Sequence, residues 1–252
     1  MIYVRDVYNF LDSIAPFASQ MEFDNSGLQC GDFDAPVEAA MVCLDATPDV
    51  IAQAARARCG LIVAHHPVLF HARRQLLGSD PAWLLARHGM ACIASHTPLD
   101  CCAGGVNDLL AQKLGLGEVT RLNDLIRLCT LSSSLTGPEP LTAKDLADLV
   151  AQKLGARVRY CGAGRPIATV ALCGGLGGHF LADVYGHADA YVTGDADHHN
   201  FLDAAQHGLT LVAAGHFETE IPLIPALAQW LRAAFPAVEW HTADEYGVIN
   251  YA

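Results

Sequence analysis

The stretch MVCLDATPDVIAQAARARCGLIVAHHP (41–67) reads as a single β-α-β unit ending in two histidines. MVCLDA (41–46) is an apolar run of strand length. Thr47-Pro48 then supplies an N-cap and a proline at the first helical position, where its missing N–H is no loss. The helix is predicted to run to about Arg58, and GLIVAHHP (60–67) returns as a buried strand. Two apolar strands joined by a helix argue for α/β layers.

The same rhythm extends in both directions. Helices are predicted over Asp6–Ile14, Pro81–His88, Val106–Leu114 and from Thr142 to Leu154. MACIASHTPLD (90–100) is a strand with its exit loop, and IRLCTLSS (126–133), RVRYCG (157–162), IATVALCG (167–174), DAYVTG (189–194) and LTLVAAG (209–215) are further strands. HFETEIPLIPALAQWLRAAF (216–235) is a long helical run that Pro222 and Pro225 kink or restart, and VEWHT (238–242) suits a last short strand. The expected architecture is two α/β portions with layered sheets and helices, 1–125 and 126–252, with the C-terminal helix available to pack back on the first. SSSLTGPEPLT (132–142) is the most linker-like stretch. The two halves share a βα rhythm, and no residue-level duplication is found between them.

Composition narrows the function classes. With 52% hydrophobic and 17% charged residues over 252 positions, the chain has material for a sizeable core and is not a disordered protein. Fifteen Lys+Arg against 27 Asp+Glu leave a formal charge of −12, which disfavours nucleic acid and anionic membranes as partners. No uncharged apolar run reaches the roughly 18 residues of a membrane span, and the N-terminus lacks signal-peptide organisation, so a cytoplasmic protein is expected. The nine cysteines include no CxxC pair and sit mostly in apolar runs. Buried thiols in a reducing compartment explain them better than disulfides or a four-cysteine zinc site.

The twelve histidines carry the functional signal. Four polar clusters close apolar strands: IVAHHP (His65, His66), IASHTPLD (His96, Asp100), YVTGDADHH (Asp195, Asp197, His198, His199) and VAAGHFETE (His216, Glu218, Glu220). Ligands of open α/β sheets bind beyond the carboxyl ends of strands, so equivalent clusters there point to one shared site. Imidazole and carboxylate without thiolate suit Zn, Mn or Fe(II) in a catalytic setting. His216 and Glu220, four apart, share a helix face. Asp100 and Glu220 are the natural bridges for two cations. His88, His207 and His241 read as ordinary core or surface residues, His198 and Glu218 as helix-surface neighbours, and His71, His179 and His187 remain open. CGGLGG (173–178) lacks the P-loop and dinucleotide patterns, and close backbone packing is favoured there over a phosphate cradle. Arg73-Arg74 reads equally as a cation pair for substrate phosphate or as a solvated turn. Cys101-Cys102 have no evident catalytic partner, and no GxSxG supports a serine triad.

Taken together, DNSGLQCGD (24–32), HHP (65–67), SHTPLDCCAGGVND (95–108), CGGLGG, TGDADHH (193–199) and GHFETE (215–220) resemble the motifs of the NIF-three-like dinuclear metal-centre family, whose members are also called GTP cyclohydrolase I type 2 homologues. The resemblance spans residues 24–220, in the family's order. It implies two α/β domains facing each other across a metal site. It implies two divalent metal ions per chain (Fe, Zn or Mn) held by His65, His66, Asp100, His216 and Glu220. His96 and His199 match positions lining that site, as candidate acid/base groups. It also implies a homohexamer built as a trimer of dimers, in the compact bacterial form. Two positions depart from the family pattern: Glu22 stands where a tryptophan is usual, and Phe217 where a tyrosine is usual.

The function expected on these grounds is a metal-dependent hydrolase acting on a small nucleotide-like or phosphoester substrate. The alternative is a non-enzymatic metal-binding scaffold or metal-handling protein.

Overall fold

The computed structural model describes residues 1–131, 141–162 and 164–250. The linker candidate 132–142 therefore lies outside the described residues except for Leu141 and Thr142. In chain order the elements are α1 (Val4–Ile14), β1 (Gly27–Cys30), β2 (Ala39–Cys43), α2 (Pro48–Arg56), β3 (Leu61–Ala64), α3 (Pro81–His88), β4 (Ala91–Ala94), α4 (Thr97–Cys101), α5 (Val106–Leu114), β5 (Gly117–Arg121) and β6 (Arg127–Thr130). There follow α6 (Ala143–Leu154), β7 (Arg159–Cys161), β8 (Thr169–Cys173), α7 (Leu181–Val184), β9 (Ala190–Thr193), α8 (His198–Gln206), β10 (Thr210–Ala213), α9 (His216–Glu220), α10 (Leu223–Ala234) and β11 (Glu239–Thr242).

The chain forms two compact units, one of Met1–Cys102 with Ile224–Tyr246, the other of Ala103–Leu223 with the C-terminal residues from Gly247. This division differs from the 125/126 boundary expected from the strand–helix rhythm and the linker-like stretch. Residues 103–125 carry α5 and β5, and β5 pairs with β6, so their partners lie in the second unit.

The first unit is built on a five-stranded sheet of order β1-β4-β3-β2-β11. β11, β2, β3 and β4 run parallel, and β1 closes one edge antiparallel to β4. Alternation along the strands divides the two faces. Met41, Cys43, Ile62, Ala64 and Cys92 pack with Val50, Ile51 and Ala54 of α2 and with Ala82 and Leu85 of α3. Ala40, Val42, Leu61, Val63 and Ile93, on the opposite face, are buried too. A parallel sheet covered on both faces explains why these strands read as continuous apolar runs. Burial of each Val, Leu or Ile is worth about 1.5–3 kcal/mol.

The second unit holds a six-stranded sheet of order β5-β6-β8-β9-β10-β7. Only β8, β9 and β10 are parallel. β5, β6 and β8 pair antiparallel in sequence, and β7 closes the far edge antiparallel to β10. Leu110 and Leu114 of α5 and Leu146 and Val150 of α6 cover Val170, Leu172, Val192 and Val212. Thr142 caps α6, accepting from the Asp145 amide, and Asp145 bonds back to the Thr142 N–H in a capping box.

Among the described residues, no helix is long and apolar enough to cross a membrane.

Candidate metal centre

Each unit ends two of its parallel strands in a matched pair of polar residues. In the first unit, Asp45 follows β2, and His65 and His66 follow β3. The sheet ladder continues past the strands, with His65 N–H donating to the Cys43 carbonyl and His66 N–H to that of Leu44, both at 3.0 Å. Asp45 accepts from His66 Nδ1 at 2.9 Å. That bond assigns the proton to Nδ1 and turns Nε2 outward as a lone-pair donor, the usual arrangement of a metal-ligating histidine. His65 is wholly buried, and its Nδ1 donates to the Ser95 carbonyl at 3.0 Å, leaving Nε2 in the same state.

α4 brings in the remaining groups. β4 leads through Ser95 to His96, and Thr97-Pro98 opens the helix that carries Asp100. Asp100 Oδ1 lies 3.5 Å from His65 Nε2. The rings of His65, His66 and His96 have centroids 4.8–5.4 Å apart, and each offers one nitrogen within 4.8 Å of the others.

His96 is held by Asp24, whose Oδ1 accepts from Nδ1 at 2.9 Å. Asp24 also accepts from the Thr97 N–H and hydroxyl and from the Ser26 hydroxyl, at 3.1, 2.6 and 2.8 Å. Burial acts to raise its pKa, but these hydrogen bonds outweigh it and hold its carboxyl well below the usual range, and a proton on the His96 ring would act in the same direction. Glu245 shows the opposite balance. It accepts from the Leu44 and Asp45 amides at 2.8 and 2.9 Å, yet burial raises its pKa, with the nearby Asp45 charge adding to the rise.

In the second unit, Asp195 follows β9 and His216 follows β10. Asp195 Oδ2 accepts from His216 Nδ1 at 2.7 Å. One turn along α9, buried Glu220 sets Oε2 3.2 Å from His216 Nε2. The Gly-rich segment packs against this pair. A Cβ at Gly175, where φ is +60°, would overlap Glu220 Oε1 and come within 3.2 Å of His216 Nε2. Three of its amides are committed internally, Gly174 to Asn107 Oδ1, Gly175 to Thr219 Oγ1 and Gly178 to the Asp195 carbonyl, at 2.8, 3.0 and 3.1 Å. Close packing, not a phosphate cradle, is the use the structure makes of these glycines.

The two half-sites repeat one local design that the sequence reading did not find. Asp45 and His66 are separated by 21 residues, and so are Asp195 and His216. Between them lie helices of nine residues each, α2 and α8, capped by Thr47 and Asp197 through their third amides. Each helix leads into a left-handed residue, Arg58 at φ 56° and Gly208 at φ 71°. The next residue, Cys59 or Leu209, donates back to Ala54 or Ala204 at 2.9 Å.

Of the predicted site residues, the first unit brings together His65, His66, His96 and Asp100, and the second brings together His216 and Glu220. His199 is exposed in the first turn of α8 with its ring centroid 5.5 Å from that of His198, and neither half-site cluster includes it. Sequence reasoning missed Asp24 and Asp45 as partners of the histidines. The one available signal was the aspartate two residues past β2, recurring two residues past β9.

The donor set fits divalent cations. Two ligand atoms on one Zn-like ion at about 2.0–2.2 Å stand about 3–3.5 Å apart, and the pairs His65–Asp100 and His216–Glu220 measure 3.5 and 3.2 Å. All donors are imidazole nitrogen or carboxylate oxygen, the set suited to Zn, Mn or Fe(II).

Comparison with known proteins speaks to the fold and the family. Residues 2–246 match the family described as Duf34/NIF3 (NGG1p interacting factor 3). A Clostridium acetobutylicum protein called GTP cyclohydrolase 1 type 2 homolog is 30% identical over 242 residues, covering 92% of this chain and 90% of its own. A homolog of the same name from Streptococcus pneumoniae is 31% identical over 249 residues, covering 89% and 90%. Among solved structures, a Bacillus cereus protein related to NIF3 superposes with a TM-score of 0.89 at 20% identity, covering 100% of this chain and 99% of its own. Staphylococcus aureus SA1388 superposes at 0.88 with 24% identity and the same coverage. At these identities the structures speak for the fold, and the match along nearly the whole chain speaks for descent: the chain belongs to the Duf34/NIF3 family.

Proposed function

We propose that this chain is a metal-dependent hydrolase of small nucleotide-like or phosphoester substrates. His65, His66, Asp100, His216 and Glu220 would hold two divalent cations. The observation carrying the reading is the pairing of a carboxylate with Nδ1 of a histidine in each half-site, which readies Nε2 of His66 and His216 for a cation. When bound, such cations supply Lewis acidity toward water and toward a carbonyl or phosphoryl oxygen.

His96 is the group to move a proton. Its Nδ1–H is fixed on Asp24, which stays ionised through the physiological range, so Nε2 can accept a proton and the resulting cation is stabilised by the carboxylate beside it. His199 is the alternative proton carrier, reachable from solvent in the first turn of α8. The names of the Clostridium and Streptococcus relatives support a nucleotide-like substrate. The assembly proposed with this reading is a homohexamer, which sedimentation at several concentrations tests.

Elemental analysis of purified protein tests the site, alongside Asp100→Ala and Glu220→Ala. About two metals per chain, reduced in both variants, is the expected result. Loaded protein is then assayed on nucleotides, phosphoesters and pyrophosphates. Turnover lost in His96→Ala with metal retained supports the hydrolase. Metal without turnover on any of these moves the protein to a metal-binding scaffold. Absence of metal after reconstitution with Fe(II), Mn(II) or Zn(II) overturns both.

A further inference from the structure

The first unit also contains a groove of about 570 Å³, lined by Asn25, Leu69, Phe70, His71, Arg74 and Leu76 among others. Three features set it apart from an ordinary surface depression. Phe70 leaves 38% of its surface exposed and Phe23 leaves 59%, and their ring centroids stand 6.3 Å apart at 62°. Such exposed aromatic faces are platforms for planar rings. Arg73 is committed to Asp80 and to the Val68 carbonyl. Arg74, by contrast, is exposed and has no hydrogen-bond or ion-pair partner among the described residues. In a chain of net charge −12, an uncommitted guanidinium beside an aromatic platform favours an anion.

Position supplies the third feature. The Phe70 ring lies 6.0 Å from that of His96, edge to face, and His96 belongs to the imidazole cluster with His65 and His66. A ligand lying along Phe70 would therefore have one end at the imidazoles, within the groove that Arg74 also lines. The start of the groove is braced. Asn25 donates to the Leu69 carbonyl at 2.7 Å, and the Leu69 N–H donates to Gln29 at 3.2 Å.

We infer that this groove is a subsite for a small anionic ligand bearing a planar heteroaromatic ring, of the nucleoside monophosphate class. The ring packs on Phe70 with Phe23 at its edge, and the phosphate pairs with Arg74. As a substrate subsite it rests on the hydrolase reading above; as a binding site it does not need the metal.

The test is calorimetric titration of the full chain, both metal-stripped and Mn(II)-reconstituted, with adenosine and guanosine 5′-monophosphate. The free nucleosides, ribose 5-phosphate and inorganic phosphate serve as partial probes. The metal-stripped protein is expected to bind at least one of the monophosphates, with each partial probe binding more weakly. Phe70→Ala and Arg74→Glu, both at exposed positions and checked by thermal melting, should each weaken binding roughly tenfold or more. Failure of the stripped protein to bind either monophosphate overturns the inference, as does equal binding by both variants or equal binding of ribose 5-phosphate. Binding that needs Mn(II) and ignores both substitutions removes the groove and leaves the hydrolase standing. The expected binding pattern in a protein that takes up no metal leaves the groove standing and removes the hydrolase.

Discussion

Asp45 accepts from His66 Nδ1 at 2.9 Å across a separation of 21 residues, and Asp195 holds His216 at 2.7 Å across the same separation. A strand, a capped nine-residue helix and a second strand set that separation in each unit. These carboxylates fix the tautomer and orientation of the rings that would hold a cation. Asp45→Ala and Asp195→Ala should each weaken metal binding roughly 10–100-fold, the cost typical of losing such an orienting partner. Asp45→Asn, which keeps an acceptor oxygen, should recover part of the loss. Competition with a chelator of known affinity reads this directly. Unchanged affinity in both alanine variants would mean the pairs are incidental.

The repeat also predicts a stabilising substitution. Arg58 sits at φ 56° where the second unit has Gly208 at φ 71°. A left-handed conformation costs a non-glycine residue about 1–2 kcal/mol, partly offset by the greater unfolded-state freedom of glycine. Arg58→Gly should therefore raise the unfolding free energy by about 0.5–1 kcal/mol in urea titration. A loss of stability would show that the Arg58 side chain makes a compensating contribution.

Asp24 gives a pH dependence with a definite sign. Its folded carboxyl titrates well below an unfolded aspartate, which titrates near about 3.9. The stabilisation is thus fully present above the unfolded value and is lost as pH falls below it toward the folded value. Metal-free protein should lose stability between about pH 5 and pH 2 more steeply than Asp24→Asn does. Urea midpoints measured across that range decide the matter, and parallel curves would remove Asp24 from the account.

The cysteines yield a simpler test. Burial pushes the Cys59 thiol up to about 11 and those of Cys92 and Cys129 up to about 12, with Cys43 raised well above its ordinary value. Thiolate is the reactive form, so these four should be inert to a thiol reagent in the native protein and should react once it is denatured. Rapid native modification of Cys43 or Cys92, found by peptide mapping, would contradict the packing of β2 and β4.

What the sequence could show follows from where its information is local. The parallel strands β2, β3, β4, β9 and β10 are continuous apolar runs because both faces are covered, and Thr47-Pro48 and Thr142 announce their helices through cap chemistry. β1 was not foreseen as a strand, since GLQC is short and begins with a glycine at φ 122°. β5 escaped as well, because GEVTR is largely exposed and, among the described residues, pairs only with β6. The histidines were legible because they interrupt apolar runs. Asp24 was not, because its link to His96 spans 72 residues and is made by the fold alone. The repeat was hidden because cap, helix and turn recur in geometry while different residues fill them, Thr47 against Asp197 and Arg58 against Gly208.

Gly175 joins the second half-site to its glycine-rich segment most tightly. With φ at +60° and Glu220 Oε1 against the place of a Cβ, alanine is opposed both by backbone conformation and by space. The neighbour that must give way is a buried carboxylate on α9. Gly175→Ala should therefore cost roughly 1–3 kcal/mol of stability. It should also turn Glu220 away from His216, lowering metal content while His65, His66 and Asp100 keep their own contacts. Gly186→Ala, at φ +78° with nothing near its Cβ, is the control for conformational cost alone. If the two variants lose equal stability and both retain full metal, the glycine serves the turn and not the carboxylate.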